Sequence, residues 1–340
     1  MAVKQASLTI DSGTSNTRVY LPGKGLVLQE PSVVALRRTG ELESAGEQAR
    51  KMIGKAPEAI RVIRPIQRGV IHDFEAARVM LEHFINRAKP SHLLSMKPRF
   101  TMCIPLGLTP VERQAYHDVA IQAGAKHVRL VEGALSAAAG AGLPVNEPTG
   151  SMVVHIGGGR TDIAVLSLGG IVTGTSLRIG GDDMDQCIAD YLKLAYNIAV
   201  GENTAEHVKM RATNTDKDMS SNINGRDLAS GLPKSITVSH GEVIQALQPV
   251  VDRLVNGVKS VLEKSPPELS ADIYRRGIVL TGGGALMNNV RLALERETKL
   301  RVEVAANPLD CAIIGAGEMV ARDRQTKRHQ FIFLKRQFSF

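Results

Sequence analysis

The chain has 340 residues, 43% hydrophobic and 22% charged, with a formal net charge of +8; this is ordinary for a soluble globular protein with room for two or more cores. The positive balance favours acidic partners, whether nucleotide, nucleic acid or anionic lipid, without choosing among them. No apolar run approaches the roughly 18–20 residues that cross a bilayer, the opening MAVKQASLTIDSG lacks a signal-peptide layout, and three scattered cysteines with no CxxC pair argue against a disulfide framework, a zinc site or thiol chemistry, so a cytoplasmic protein is expected.

In chain order, SLTID (7–11) ends in an acid, passes through GTSN and leaves as TRVYL, which reads as a β-hairpin with a Gly/Thr/Ser/Asn loop. DFEAARVMLEHFINRA (73–88) repeats apolar residues at helical spacing (Phe74, Val79, Leu81, Phe84, Ile85), with Asp73 placed to cap it. RFTMCIPL (99–106) predicts a strand. Thr109 and Pro110 open a helix to about Gln122, where TPVE has the form of a capping box. HVRLVE (127–132) predicts a short strand feeding the small-residue helix GALSAAAGAG (133–142).

A similar cycle then restarts. SMVVHI, GGGRTDIAVLSL and IVTGTSLRI (151–179) read as strand, glycine turn and two strands, followed by a helix from near Asp182 to Asp185. The polar stretch 201–240 reads as a small inserted subdomain. GIVLTGGGALMNNVRLALERE (277–297) reads as strand, triple glycine and helix, LRVEVA (300–305) as a strand, and a last helix starts near Leu309. Two such units predict a duplicated α/β architecture with a cleft between halves. Four of the seven phenylalanines (331, 333, 338 and 340) fall in the last ten residues, beside Lys335 and Arg336.

Three glycine-rich turns sit at strand ends: DSGTSNT (11–17), HIGGGRTD (155–162) and TGGGALMNN (281–289). Without a Cβ, backbone N–H groups can approach and point at an anion, and Ser/Thr hydroxyls add donors. One such turn is weak evidence; three in repeated halves point to phosphate binding.

On these loops the chain resembles the MreB family of bacterial actin homologues, within the actin, chaperone and sugar-kinase superfamily. DSGTSNTRVYLPGKGLVLQEPSVVAL, IRPIQRGVIHDF, GAGLPVNEPTGSMVVHIGGG, SLRIGGDDMD and LTGGGALMNNV match its segments in order, over about residues 6–320. The resemblance implies an actin-like, duplicated ribonuclease-H-like α/β fold: two large domains, each with a smaller subdomain, around a nucleotide cleft. Its boundaries would fall at 1–29, 72–146 and 312–332 for subdomain IA, 30–71 for IB, 147–182 and 240–311 for IIA, and 183–239 for IIB, leaving 333–340 as a basic aromatic tail.

The same resemblance implies ATP or ADP with Mg2+ as cofactors. Asp11 matches the carboxylate that meets magnesium through water, and Gly13, Thr14, Ser15 and Asn16 match the first phosphate loop. Gly157, Gly158 and Gly159 match the second phosphate loop, and Gly282, Gly283, Gly284 and Ala285 the adenosine loop. Glu206 and Lys209 match the pair bracketing ribose and adenine; taken alone, they would be an exposed helical pair worth little.

The departures fall on the hydrolytic residues. The glutamate that polarises the attacking water aligns with Gly133, with Glu132 one position early, a rotation of about 100° on a helix. The acid opening the second loop is His155, and the first of two water-orienting threonines is Arg160, while Thr161 keeps the second. Slow or absent hydrolysis is expected. For His155 and Arg160 two readings stay open: a neutral core histidine with a solvent-facing arginine, or two phosphate donors that replace part of magnesium's charge.

The resemblance further implies self-association into protofilaments and a cell-shape role. It places an apolar membrane pair at Leu93 and Leu94, among Lys89, Lys97 and Arg99, which suits an anionic bilayer at the inner face of the cytoplasmic membrane, although the same leucines could cap the helix beneath. FIFLKRQFSF reads equally as a second anchor or as a subunit-contact strand. A DNA- or organelle-segregating filament and a small-molecule kinase of the same superfamily are the alternative functions. Sequence-specific nucleic-acid binding is not expected.

Overall fold

The computed structural model describes residues 7–89, 97–212 and 220–322. Leu93, Leu94 and the C-terminal tail lie outside them.

Two five-stranded sheets share one strand order. The first runs His127–Glu132, Arg99–Ile104, Ser7–Ser12, Asn16–Leu21, Gly25–Pro31; the second runs Val302–Val304, Ile278–Thr281, Ser151–Ile156, Thr161–Ser167, Gly170–Leu177. In each, the central strand pairs antiparallel with the hairpin strand that follows it and parallel with the strand on its other side. The duplication expected from the repeated glycine turns is therefore present in topology, as an actin-like α/β fold. SMVVHI and TDIAVLS are apolar almost throughout because they lie inside a covered sheet, where both faces are buried.

Helices cover these sheets by the amphipathic rule. His240–Glu263, opened by a capping box between Ser239 and Glu242, buries Val243, Leu247, Val250, Leu254, Val258 and Val261 on the second sheet. Phe74–Ala88 does the same for the first, with the Asp73 side chain accepting the Ala76 N–H at 3.0 Å. Its buried stripe is Ala77, Met80, Leu81, Phe84 and Ile85; Val79 stands at the edge, and the flexible Met80 takes the core place. The Thr109 capping box also forms, at the head of Pro110–Gln122.

Gly133–Gly140 is built from small residues because a second helix, over 311–322, lies against it. A Cβ on Gly140 would strike the Cys311 carbonyl, and one on Gly315 the Ser136 carbonyl. This last helix starts two residues later than its sequence predicts, and Leu309 is left half-exposed in the turn before it.

Two smaller sheets flank the cleft. Leu42–Ala45, Val34–Arg37 and Ile60–Ile63 form one, with the short helix Glu47–Lys51. Ile198–Ala199, Ser220–Asp227 and Pro233–Ser239 form the other, with Glu202–Arg211 beside it. The described parts of the polar 201–240 stretch are thus folded, and their buried apolar residues Ala205, Val208, Ala212, Ile223 and Val238 join the core of the second sheet.

Candidate functional site

The three glycine turns open on one cavity of about 1100 Å³ between the halves, large enough for a nucleotide-sized ligand. The first turn is closed by the Gly13 N–H donating to the Asn16 carbonyl at 3.0 Å, and beneath it a buried hydroxyl chain runs Ser12, Thr17, Ser32 at 3.1 and 2.9 Å. Those hydroxyls satisfy one another, so the loop rests on a rigid polar floor. The second turn is closed by the Gly157 N–H to the Arg160 carbonyl at 2.8 Å. Gly158 abuts Ser15 so closely that a Cβ would overlap its hydroxyl. In the third, Gly282 takes φ 81° and packs on Ile156, a backbone conformation and contact that only glycine accommodates.

Asp11, Gly13, Thr14, Ser15, Asn16, Gly133, His155, Gly157, Gly158, Gly159, Arg160, Glu206, Lys209, Gly282, Gly283 and Gly284 all line this cavity. Ala285 does not: it is buried behind the loop, and Leu286 and Met287 take the wall. Glu132 is also off the wall, held in an ion pair with Arg113 at 3.3 Å. Thr161 is fully buried, and its hydroxyl donates to the Ile179 carbonyl at 2.8 Å, so it is committed to the fold and unavailable to orient a water.

His155 lies between Thr281, whose Oγ1 is 3.1 Å from its Nδ1, and the guanidinium of Arg18. Burial first and then Arg18 push its pKa down to about 4, so the ring is neutral at physiological pH. The ring is thus a neutral histidine hydrogen-bonded to Thr281, as in the first of the two readings, and any donation to a phosphate would come from a neutral ring nitrogen without charge. Arg160 does not face solvent either. It is 9% exposed, with Nε and Nη1 out of water and without hydrogen-bond partners.

Four residues that carry the electrostatics escape sequence reasoning. Arg18, opposite Asp11 across the hairpin, is buried and sits 3.1 Å from Asp310. Asp162, opposite His155, accepts the Leu106 N–H at 3.2 Å and the Ser176 hydroxyl, which ties the second half to the first; burial pushes its pKa up to about 6. Arg50 reaches from the first small subdomain to Glu206 at 3.2 Å, and Arg64 reaches Glu202 at 2.5 Å, closing ion pairs across the cleft mouth. In the sequence, TRVYL shows only alternation and TDIAVL only an apolar run after two polar residues; register and the facing loop supply the rest.

Lys209 donates to Asp185 at 2.7 Å and to the Gly181 carbonyl at 2.9 Å, so it is a fixed wall element near the second loop. The glycine cradles and the unpartnered guanidinium suit a phosphate chain. For a metal the donor set is thin: among the described residues no three His, Cys, Asp or Glu side chains converge. Asp11 is a single carboxylate whose pKa burial raises and Arg18 lowers. That fits a magnesium ion that arrives with the nucleotide and keeps its waters, and nothing tighter.

The model of the MreB/Mbl protein family matches residues 5–328. The cell shape-determining protein Mbl of Bacillus subtilis is 47% identical over 324 residues, covering 94% of this chain and 97% of that protein. The cell shape-determining protein MreB of Escherichia coli K12 is 45% identical over 319 residues, covering 92% of each. The crystal structure of MreB5 of Spiroplasma citri bound to AMPPNP is similar at TM-score 0.90 and 35% identity, covering 96% of this chain and 99% of that one; its ADP-bound form gives 0.89. The MamK double helical filament, at 21% identity and TM-score 0.77, covering 93% and 99%, shares the fold.

Proposed function

The chain belongs to the MreB/Mbl family, and on that premise we propose that it is an actin-like cytoskeletal protein that binds ATP or ADP in the cleft, polymerises into protofilaments and helps determine cell shape. One observation carries the nucleotide reading: three glycine turns from two like sheets converge on one cavity, with the first two packed together at Gly158 and Ser15. Relatives solved with AMPPNP and with ADP support it.

The residues in named roles are the first-loop group Gly13 to Asn16 and the second-loop group Gly157 to Gly159 for phosphates, and Gly282 to Gly284 with Glu206 and Lys209 for the adenosine. Magnesium would lean on Asp11 through water and neutralise phosphate charge when bound. We assign the subdomains at the boundaries given above. Hydrolysis is slow in this reading, because Gly133 offers no side chain to a water and Thr161 is bound to Ile179. Loss of a general base or its equivalent lowers a rate by roughly 10²–10⁴.

Electron microscopy of the purified protein with ATP, with ADP and without nucleotide tests the assignment. Filaments whose abundance changes with nucleotide are expected; a protein that stays monomeric in all three overturns it. Attachment to the inner face of an anionic membrane through Leu93 and Leu94 or through the tail is a separate proposal. Liposome pelleting of a chain ending at Arg324 tests the tail, whose removal lowers lipid binding without preventing assembly if it is an anchor.

A further inference from the structure

Among the described residues, Arg160 is the cavity-lining charge that the fold leaves uncompensated at the second phosphate loop. Its stem is clamped across the cleft, with Cδ against Gly69, where a Cβ would come within 2.8 Å of it, and with Pro105 on the same side. Its Nε and Nη1 are out of water and unpartnered. The two carboxylates that feel its charge are engaged elsewhere: Asp162 by Leu106 and Ser176, Glu112 by Arg178 at 3.0 Å and by the Thr109 N–H at 2.8 Å. Arg18 also buries an Nε without an aligned hydrogen bond, but it has a carboxylate, Asp310, 3.1 Å away as an ion-pair partner, and Arg160 has none at that range among the described residues.

A buried guanidinium with open donors costs free energy, and a fold keeps such a group where a ligand compensates it. The compensating charge has to come from the cavity. Thr14 and Tyr116 frame this end, the Thr14 hydroxyl accepting the Gly69 N–H at 3.0 Å and the Tyr116 hydroxyl donating to the Gly69 carbonyl at 3.2 Å; Gly133 lines the same cavity and brings no side chain into it.

We propose that Arg160 is a terminal-phosphate site: its guanidinium binds the γ-phosphate of a nucleoside triphosphate beside Gly133, and so makes preference for triphosphate over diphosphate a property of this side chain more than of the metal. A planar guanidinium suits a phosphate through two parallel N–H bonds. This rests on the nucleotide reading above. Of the two phosphate donors that the loop sequence allows, Arg160 is the one that brings charge; His155 has its Nδ1 3.1 Å from the Thr281 hydroxyl and is neutral.

The test is direct binding of a fluorescent ATP analogue and its ADP counterpart to the full chain, with magnesium and with EDTA, for wild type, Arg160→Met and Arg160→Lys. Methionine keeps the stem that packs on Gly69 and Pro105 and removes the charge. Arg160→Met is expected to weaken ATP roughly 10- to 100-fold while ADP changes less than about twofold, with part of the loss restored by Arg160→Lys. EDTA should lower wild-type ATP affinity by less than Arg160→Met does. The nucleotide-free melting temperature of Arg160→Met should hold or rise, because an unpaired buried charge has gone. Equal losses for ATP and ADP, or no loss for either, overturn the inference and leave the nucleotide reading standing. A wild type that binds neither nucleotide overturns both.

Discussion

Asp11 and His155 occupy the same station in two sheets of identical order, each the fifth residue of its sheet's central strand. Across the following hairpin strand Asp11 faces Arg18 and His155 faces Asp162, so the duplication holds in backbone while the acid moves from the central strand to its hairpin partner. Burial, the larger cause in both cases, raises the pKa of the acid and lowers that of the imidazole; Arg18 partly offsets the first shift and adds to the second. One wall of the cleft therefore keeps a carboxylate, and the other presents a neutral ring.

His155 should make the protein acid-sensitive in a defined window. Its folded pKa is pushed down to about 4, whereas the unfolded chain titrates near 6.5. Unfolded protein thus binds more protons between those values, and stability falls as pH drops from 6.5 toward 4. At pH 5 the loss from this group is about 2 kcal/mol, roughly 2–4 °C in melting temperature for a protein of this size. Asp162, raised to about 6, pulls the other way in wild type and variant alike. Melting curves at pH 7.5 and 5.0 should show a smaller acid shift for His155→Asn than for wild type; equal shifts would contradict the buried neutral ring.

Gly158→Ala should abolish nucleotide binding without unfolding the chain. A Cβ there overlaps the Ser15 hydroxyl, which must rotate away from its place in the first loop, and still lies 3.0 Å from the Ser15 Cβ, so the two phosphate loops must also shift slightly apart. Anion binding by convergent backbone donors depends on their spacing, so a loss of about 100-fold or more is expected from misplaced donors. The far-UV circular dichroism should match wild type. Near-normal affinity would mean that the loops do not act together.

Much of the fold is legible in the sequence, and the limit is instructive. The glycine turns, the Asp73 cap and the Thr109 capping box depend on neighbours within four residues, so local pattern finds them. Helical spacing puts Val79 in the core and leaves Met80 out, the reverse of what the packed helix does, because periodicity cannot tell which of two adjacent apolar residues meets the sheet. Nothing inside TRVYL singles out Arg18, because its burial depends on Asp310, nearly three hundred residues away. Thr161 matches a family position in the letters, yet its hydroxyl is bound to Ile179, which only the packed hairpin reveals.

The ion pairs at the cleft mouth should control nucleotide exchange. Arg50 to Glu206 and Arg64 to Glu202 join the two small subdomains, and all four side chains keep some contact with water. Pairs of this kind contribute about 0–1 kcal/mol each and weaken with salt. Arg50→Gln is expected to speed dissociation of a fluorescent ADP about 2- to 5-fold at low salt. The difference from wild type should vanish at roughly 0.5 M salt, where screening is short-ranged. A salt-independent difference would show that Arg50 contacts the nucleotide itself.

Hydrolysis should be recoverable by restoring a side chain at position 133, just after a strand of the sheet that holds Asp11. Gly133 has no positive φ, and a Cβ there meets nothing closer than the Ile104 carbonyl at 3.4 Å, so a side chain can be added without backbone strain. At the first turn of Gly133–Gly140, a glutamate would sit by the helix N-terminus, which favours its charged form. Arg160 lines the same cavity, and its charge there would hold that glutamate as a weak base, so Gly133→Glu alone should gain little. Combining it with Arg160→Thr removes the competing cation and restores a hydroxyl at the loop. Steady-state phosphate release by the double variant should then exceed wild type by about 10²-fold, with Arg160→Thr alone showing weaker ATP binding and no gain in rate. A double variant as slow as wild type would place the block elsewhere, at the neutral His155 wall, and Gly133 would no longer account for slow turnover.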